Sequence, residues 1–141
     1  MRFFVDENET DAILPPLRAT FLQHEFRGSK EEELGGIDDI PLFAIVAERG
    51  FDALITRDSN QLDDRDERRA LIESGLHWIG HKQPGASGEL GIALTSAAYM
   101  AAMPHIVSAL PTVEQPHAFH VKGLASQEGQ RVKIRKLQAP S

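Results

Sequence analysis

Four acidic side chains stand where they could do chemistry together. Asp6 closes the short apolar run Arg2–Val5, and Asp58 follows the apolar run Ala53–Thr56. Asp38 and Asp39 open a helical pattern that leads into that second run. If both runs are parallel strands, all of these places share one edge of a sheet. Carboxylates gathered there repel one another unless a cation neutralises them. A hard divalent ion such as Mg²⁺ or Mn²⁺ takes oxygen ligands and leaves positions open for phosphate oxygens. The reaction class expected of such a site is metal-assisted hydrolysis of a phosphodiester. The same residues also have a plain structural use, since an Asp at a strand end forms turns and an Asp before a helix caps it. Arg57, beside Asp58, is suited either to holding a phosphate or to bracing a neighbouring acid.

The elements that would position these groups follow from apolar spacing. Strands are expected at Arg2–Val5, His24–Arg27, Ala53–Thr56 and Leu76–Gly80. Continuous apolar runs such as RFFV and ALIT suit parallel strands buried on both faces. Helices are expected over Thr10–Gln23 with Pro15 and Pro16 in the first turn, Asp38–Glu48 ending at Gly50, and Asp63–Ser74 ending at Gly75. A long apolar helix is expected over Glu89–Leu110, with a kink at Pro104. Gly28–Gly36 and Lys82–Gly88 read as loops. Ala118–Val121 and Val132–Leu137 alternate like the arms of a hairpin. Strands alternating with helices predict an α/β fold with a mainly parallel sheet, whose ligands lie outside the carboxyl ends of the strands.

The 141 residues suit one domain with its own core. The chain carries 15 Lys+Arg against 21 Asp+Glu. Residues 1–76 hold 18 of the acids and 9 of the bases, whereas 77–141 hold 3 acids and 6 bases. Lys122, Arg131, Lys133, Arg135 and Lys136 make the C-terminal end basic, a surface able to meet RNA phosphates, an acidic protein or solvent. The chain has no cysteine, which excludes disulfides, thiolate zinc sites and thiol catalysis. No apolar run looks long enough to span a membrane and no secretory leader is evident, so a cytoplasmic protein is expected. His77 and His81, four apart on an expected strand, are not aligned as helical metal ligands would be.

The segments FFVDEN, DDIPLFAIVAERG and ALITRDSN, in that order, resemble the PIN-domain nucleases. The likeness is to the short PIN-like proteins with an early "DEN" and a later "TRD", and to the VapC-type toxins of bacterial toxin–antitoxin pairs. It spans about residues 1–80, leaving 81–141 as a helical and basic hairpin extension of one domain. It implies a three-layer α/β/α fold and a Mg²⁺- or Mn²⁺-dependent endoribonuclease, with a cognate antitoxin as partner. Asp6, Asp39 (or Asp38) and Asp58 would be the catalytic metal ligands. Thr56 would support Asp58 by hydrogen bonding, and Asn60 would hold a metal-bound water. Larger members carry a Glu on a helix between the first two acids. No residue here matches it cleanly, with Glu7, Glu9 and Glu31–Glu33 as the substitutes. That gap leaves a second reading, a catalytically eroded module that binds RNA or protein. The apolar helix 89–110 is either core or the face that meets an antitoxin or a second copy.

Overall fold

A computed structural model describes residues 1–82 and 85–140. Five parallel strands form one sheet in the order β2-β1-β3-β4-β5. They are β1 (Arg2–Val5), β2 (Glu25–Gly28), β3 (Ala53–Thr56), β4 (His77–His81) and β5 (Ala118–Val121). The helices are α1 (Leu14–Thr20), α2 (Asp39–Glu48), α3 (Asn60–Asp63), α4 (Arg65–Ser74), α5 (Gly88–Ala109) and α6 (Glu128–Arg131). Successive side chains of a strand point to opposite faces, and β1 and β3 split their apolar residues accordingly. Phe3, Val5, Ala53 and Ile55 face a core closed by Leu17 of α1 and by Tyr99, Met103 and Ile106 of α5. Phe4 and Leu54 face a second core closed by Leu42, Phe43 and Val46 of α2 and Leu71 of α4. Helices therefore cover both faces of the sheet, giving three layers.

Local chemistry sets the helix ends near the strand edge. Asp38 occupies the N-cap position of α2, with extended backbone and no side-chain cap bond. Asp64 caps α4 by accepting from the backbone N–H groups of Asp66 and Glu67, and Gly75 ends it at φ 80°. The expected helix over 63–74 is α4, which starts two residues later because Asp64 is extended and Asp63 closes the short α3. The expected helix over 10–23 is shorter for a similar reason. A 3-10 turn at Asp11–Ile13 precedes α1, which starts at the two prolines and ends at Thr20.

The C-terminal hairpin does not form. Ala118–Val121 enters the sheet as an edge strand parallel to β4, and no ladder pairs Val132–Leu137 with it. The residues after α6 are exposed, Leu137 at 95%. Their alternating pattern is a tail of Lys and Arg interleaved with solvated apolar side chains. The expectation that nothing in the chain is long enough to span a membrane is also corrected. Within the stretch Gly88–Thr112 an 18-residue window reaches a mean hydropathy of 1.4, enough by length and composition. Here its Leu94, Ala98, Tyr99, Met103 and Ile106 are buried, four of them in the core that α5 shares with the sheet.

Candidate active site at the carboxyl edge of the sheet

The chain leaves β1 towards β2 on one side and reaches β3 on the other. The carboxyl ends of β1 and β3 therefore border a crevice where the strand order changes direction, the usual ligand position in an open parallel sheet. Asp6 and Asp58 follow those two strands. Asp6 is 2% exposed. Its Oδ1 accepts the Glu7 backbone N–H at 2.8 Å, and its Oδ2 accepts the Thr56 hydroxyl at 3.0 Å. Gln61 Nε2 and Asn8 Nδ2 approach the same oxygen at 3.5 and 3.4 Å. Burial pushes the Asp6 pKa up, against the hydrogen bonds from Thr56 and Glu7, and the charge of Asp39 adds to the rise.

Thr56 hydrogen-bonds Asp58, as the resemblance implied, and serves Asp6 as well. It reaches Asp58 through the backbone, accepting that residue's N–H at 3.1 Å, and gives its own proton to Asp6. Asp58 Oδ1 in turn accepts the N–H of Asn60 at 3.0 Å, so part of this acid is committed to the local turn. Asn60 itself is exposed at the start of α3.

Asp39 lies in the first turn of α2. Burial raises its pKa, hydrogen bonds from Gln61 and with Glu67 oppose the rise, and the charges of Asp58 and Asp38 add to it. Glu67 is the residue that the sequence reading missed. It sits in the first turn of α4, and its carboxyl meets that of Asp39. Burial, then the charge and hydrogen bond of Asp39, then Asp64 and Asp58, push it up to about 7. The signal was available: Asp64 and Glu67 form a D-x-x-E helix start, which fixes Glu67 in the first turn of a helix packed beside α2. Gln61, fully buried, joins the group by reaching both Asp6 and Asp39 while accepting the Trp78 indole N–H at 3.2 Å.

The other expected site residues separate from this group in different degrees. Glu7 and Asp38 line a cleft of about 460 Å³ beside Asp39 and Glu67, and Glu7 also accepts the Gly36 N–H at 2.9 Å. Arg57 braces neither Asp58 nor Asp6; its Nη2 pairs with the buried Glu9 at 2.7 Å. Glu9 also accepts the Tyr99 hydroxyl at 2.7 Å, so it serves a buried network and not the acid cluster. Glu31 and Glu32 are engaged with arginines on the surface. Lys122 is exposed just after β5, Arg131 ends α6, and Lys133, Arg135 and Lys136 extend from it in the exposed tail.

At this edge the charge of Asp39 thus acts on Asp6 and on Glu67, and that of Asp58 acts on Asp39 and Glu67, while Arg57 is paired with Glu9. Among the described residues no three His, Asp or Glu side chains are close enough to grip one ion together. Mg²⁺ keeps several waters and is commonly held by one or two carboxylates with substrate phosphate. The all-oxygen, uncompensated donor set fits that ion. It would suit thiolate-seeking metals poorly, since the chain has no cysteine. In comparisons with known proteins, no curated protein and no solved structure matches the chain, while residues 1–82 match the family model described as a PIN-like domain.

Proposed function

The chain belongs to the PIN-like domain family, a nuclease-type fold, and from that premise we propose that it is a metal-dependent endoribonuclease acting at the edge between β1 and β3. The observation that carries the proposal is the convergence of Asp6, Asp39, Asp58 and Glu67, with three of the four pKa values raised and no cation among them. Asp6 and Asp39, with Asp58, would hold Mg²⁺ or Mn²⁺. When bound, the ion supplies Lewis-acid stabilisation of charge building on the phosphate. Thr56 and the Glu7 N–H fix the direction of the Asp6 carboxylate. Gln61, anchored by Trp78, fixes Asp6 relative to Asp39. Glu67, with a pKa near neutrality, is the carboxylate able to take a proton from attacking water.

Cleavage of single-stranded RNA should need Mn²⁺ or Mg²⁺ and stop with EDTA. Asp6→Asn and Asp39→Asn should each lower the rate by at least about 10²-fold, in line with losing electrostatic stabilisation of a transition state. Cleavage that survives both substitutions removes the site from the reaction. The basic tail, Lys122, Arg131, Lys133, Arg135 and Lys136, is proposed to hold RNA phosphates outside the cleft. Neutralising four of these charges should flatten the slope of log affinity against log salt by about 3.

The finer reading makes the protein a cytoplasmic toxin whose cognate antitoxin is the protein partner. The face it would cover is the largely apolar groove between α5 and β5, where Ala98, Ala102, Ile106 and Phe119 meet Lys122; a homodimer across that face is the rival occupant. A second reading, the eroded binding module, is favoured by the lack, among the described residues, of a three-acid ion grip. Isothermal titration with Mn²⁺ separates them, since the eroded module gives no saturable heat that Asp39→Asn removes.

A further inference from the structure

The two edges of the sheet are finished differently. In a parallel sheet, alternate residues of an edge strand turn their N–H and C=O away from the neighbouring strand. At the β2 edge those residues are Phe26 and Gly28, since the Glu25 and Ser29 N–H groups bond to the Met1 and Val5 carbonyls. Their outward groups are taken. Arg18 donates to the Phe26 carbonyl from Nε at 2.9 Å and from Nη2 at 2.7 Å. The Gly28 N–H donates to Glu31 at 2.9 Å, and the Gly28 carbonyl accepts the Glu32 N–H at 3.1 Å. Covering an edge in this way keeps it from pairing further. At the β5 edge the outward residues are Ala118 and His120, because the Trp78 N–H bonds to the His117 carbonyl and Trp78 is level with Ala118. Both are exposed, and among the described residues nothing outside the sheet is hydrogen-bonded to their N–H or C=O groups. Beside this open edge runs an apolar groove of about 470 Å³, formed by Ala98, Ala102 and Ile106 of α5 with Phe119 and Val121 of β5. The polar residues that line it are His105, His120 and Lys122, with no acid among the described residues. His120, whose ring lies 5.1 Å from that of Trp78, also borders a cavity of about 700 Å³ over the carboxyl ends of β3, β4 and β5, as does Lys82.

We propose that β5 is an acceptor edge, which takes an extended acidic segment of another protein as a further strand of the sheet. The outward groups of Ala118 and His120 supply the backbone pairing, and the groove supplies the pocket for alternate side chains. Successive side chains of a strand point to opposite faces. Apolar residues of the incoming segment would therefore enter the groove against Ile106 and Phe119, and acidic ones would lie on the other face, towards His120 and Lys82. Charge selects the occupant. The tail of a second copy, Val132–Leu137, has strand-like alternation, but it brings Lys133, Arg135 and Lys136 to a surface that already holds Lys122. Like charges across a strand pair oppose it, whereas an acidic segment meets complementary charge. The groove is the one proposed for the antitoxin, and the inference rests on that reading for the partner's being a separate chain; the open edge itself does not depend on cleavage of RNA.

The probe is a labelled, end-capped peptide of alternating glutamate and valine. It should bind the full chain saturably by fluorescence anisotropy, and added salt should weaken the binding. The same peptide with lysine for glutamate should bind at least about tenfold more weakly. N-methylation of either the valines or the glutamates separates strand addition from loose adhesion. Only one of the two sets turns its N–H groups to β5, so methylating that set should cost about tenfold or more, and methylating the other should cost little. His120→Pro removes one outward N–H and leaves the bonds to β4 whole, in a place where an edge strand tolerates proline. It should weaken binding by about fivefold, the worth of one hydrogen bond. Lys122→Glu, at an exposed position, gives a second loss in a variant whose folding is not at stake. Asp6→Asn should bind the peptide as the native chain does. Peptide binding with no RNA cut keeps the acceptor edge and discards the nuclease, and RNA cut with no peptide binding does the reverse. Equal affinity after either N-methylation, equal affinity for the lysine peptide, or indifference to both His120→Pro and Lys122→Glu overturns the proposal. So does a chain that sediments as a dimer and becomes a monomer on His120→Pro, which gives the edge to a second copy.

Discussion

Glu67 shows how a single carboxyl links folding to the site. Its pKa is about 7 in the folded protein against an ordinary 4.5, because burial and the charge of Asp39 disfavour its ionised form. A raised folded-state pKa means that the group's stabilising contribution is full below pH 4.5 and is lost as pH rises through about 7. The chain should therefore melt at a lower temperature at pH 8 than at pH 6. Added Mg²⁺ or Mn²⁺ should close that gap, since binding to the folded state raises its stability. Glu67→Gln removes the charge and should raise the pH 8 melting temperature by on the order of a few degrees. The same substitution should weaken the response to metal. A melting temperature independent of pH between 6 and 8 in metal-free buffer contradicts this coupling. The pair of buried Glu9 and partly exposed Arg57 obeys a different logic, because its charges compensate each other. Tyr99→Phe withdraws one donor from Glu9 without disturbing the ring's packing. It should cost about 1–3 kcal/mol in urea unfolding, the range for a buried hydrogen bond to a charged group.

Elements whose order is encoded locally were legible from the sequence, and those completed by distant partners were not. RFFV and ALIT read as strands because, Arg2 apart, every residue is apolar or β-prone, and the two cores divide their apolar residues by face. The start of α2 read correctly from Asp38 in its N-cap position and Pro41 in its first turn, and the Gly75 stop of α4 because a left-handed C-terminal cap acts within one turn. Val132–Leu137 alternates as a strand does, but strand propensity is realised by cross-strand neighbours, and this segment has none. Glu67 was overlooked because its partner, Asp39, arrives from a helix 28 positions earlier, through the packing of α2 on α4. Gly80 belongs to this scale as well. It is the last residue of the expected strand Leu76–Gly80, whereas β4 runs one residue further, to His81, and Gly80 makes room for the Trp78 ring. Gly80→Ala should force Trp78 away, break its bond to Gln61 and cost about 1–3 kcal/mol as overpacking does. A red-shifted Trp78 emission should accompany the loss. Unchanged stability and emission in this variant contradict the packing argument.

At the scale of the whole molecule, the family match ends at residue 82 but the fold does not. β5 extends the sheet beyond β4, and α5 supplies Ala98, Tyr99, Met103 and Ile106 to the core under β1 and β3. The Tyr99 hydroxyl also reaches back to Glu9 in the loop after β1, tying the long helix to the edge that carries Asp6. A chain ended after Lys82 would leave Phe3, Val5 and Ile55 facing water on one side. Burial of an apolar side chain contributes about 1.5–3 kcal/mol, and net stabilities of domains are about 5–15 kcal/mol. Losing that layer removes more than the fold can spare. Residues 1–82 alone should show no cooperative unfolding transition by circular dichroism. The residues beyond 126 contribute no buried side chain among those described, so a chain ended after Ser126 should melt within about 2 °C of the full protein. That shorter chain lacks Arg131, Lys133, Arg135 and Lys136 but keeps the acidic edge and the cavity at β3–β5 whole. It should retain cleavage of a short oligonucleotide at saturating substrate while binding long RNA more weakly and with less dependence on salt. A cooperative transition in residues 1–82 would make α5 and β5 an appendage, and the site would then belong to the first 82 residues alone.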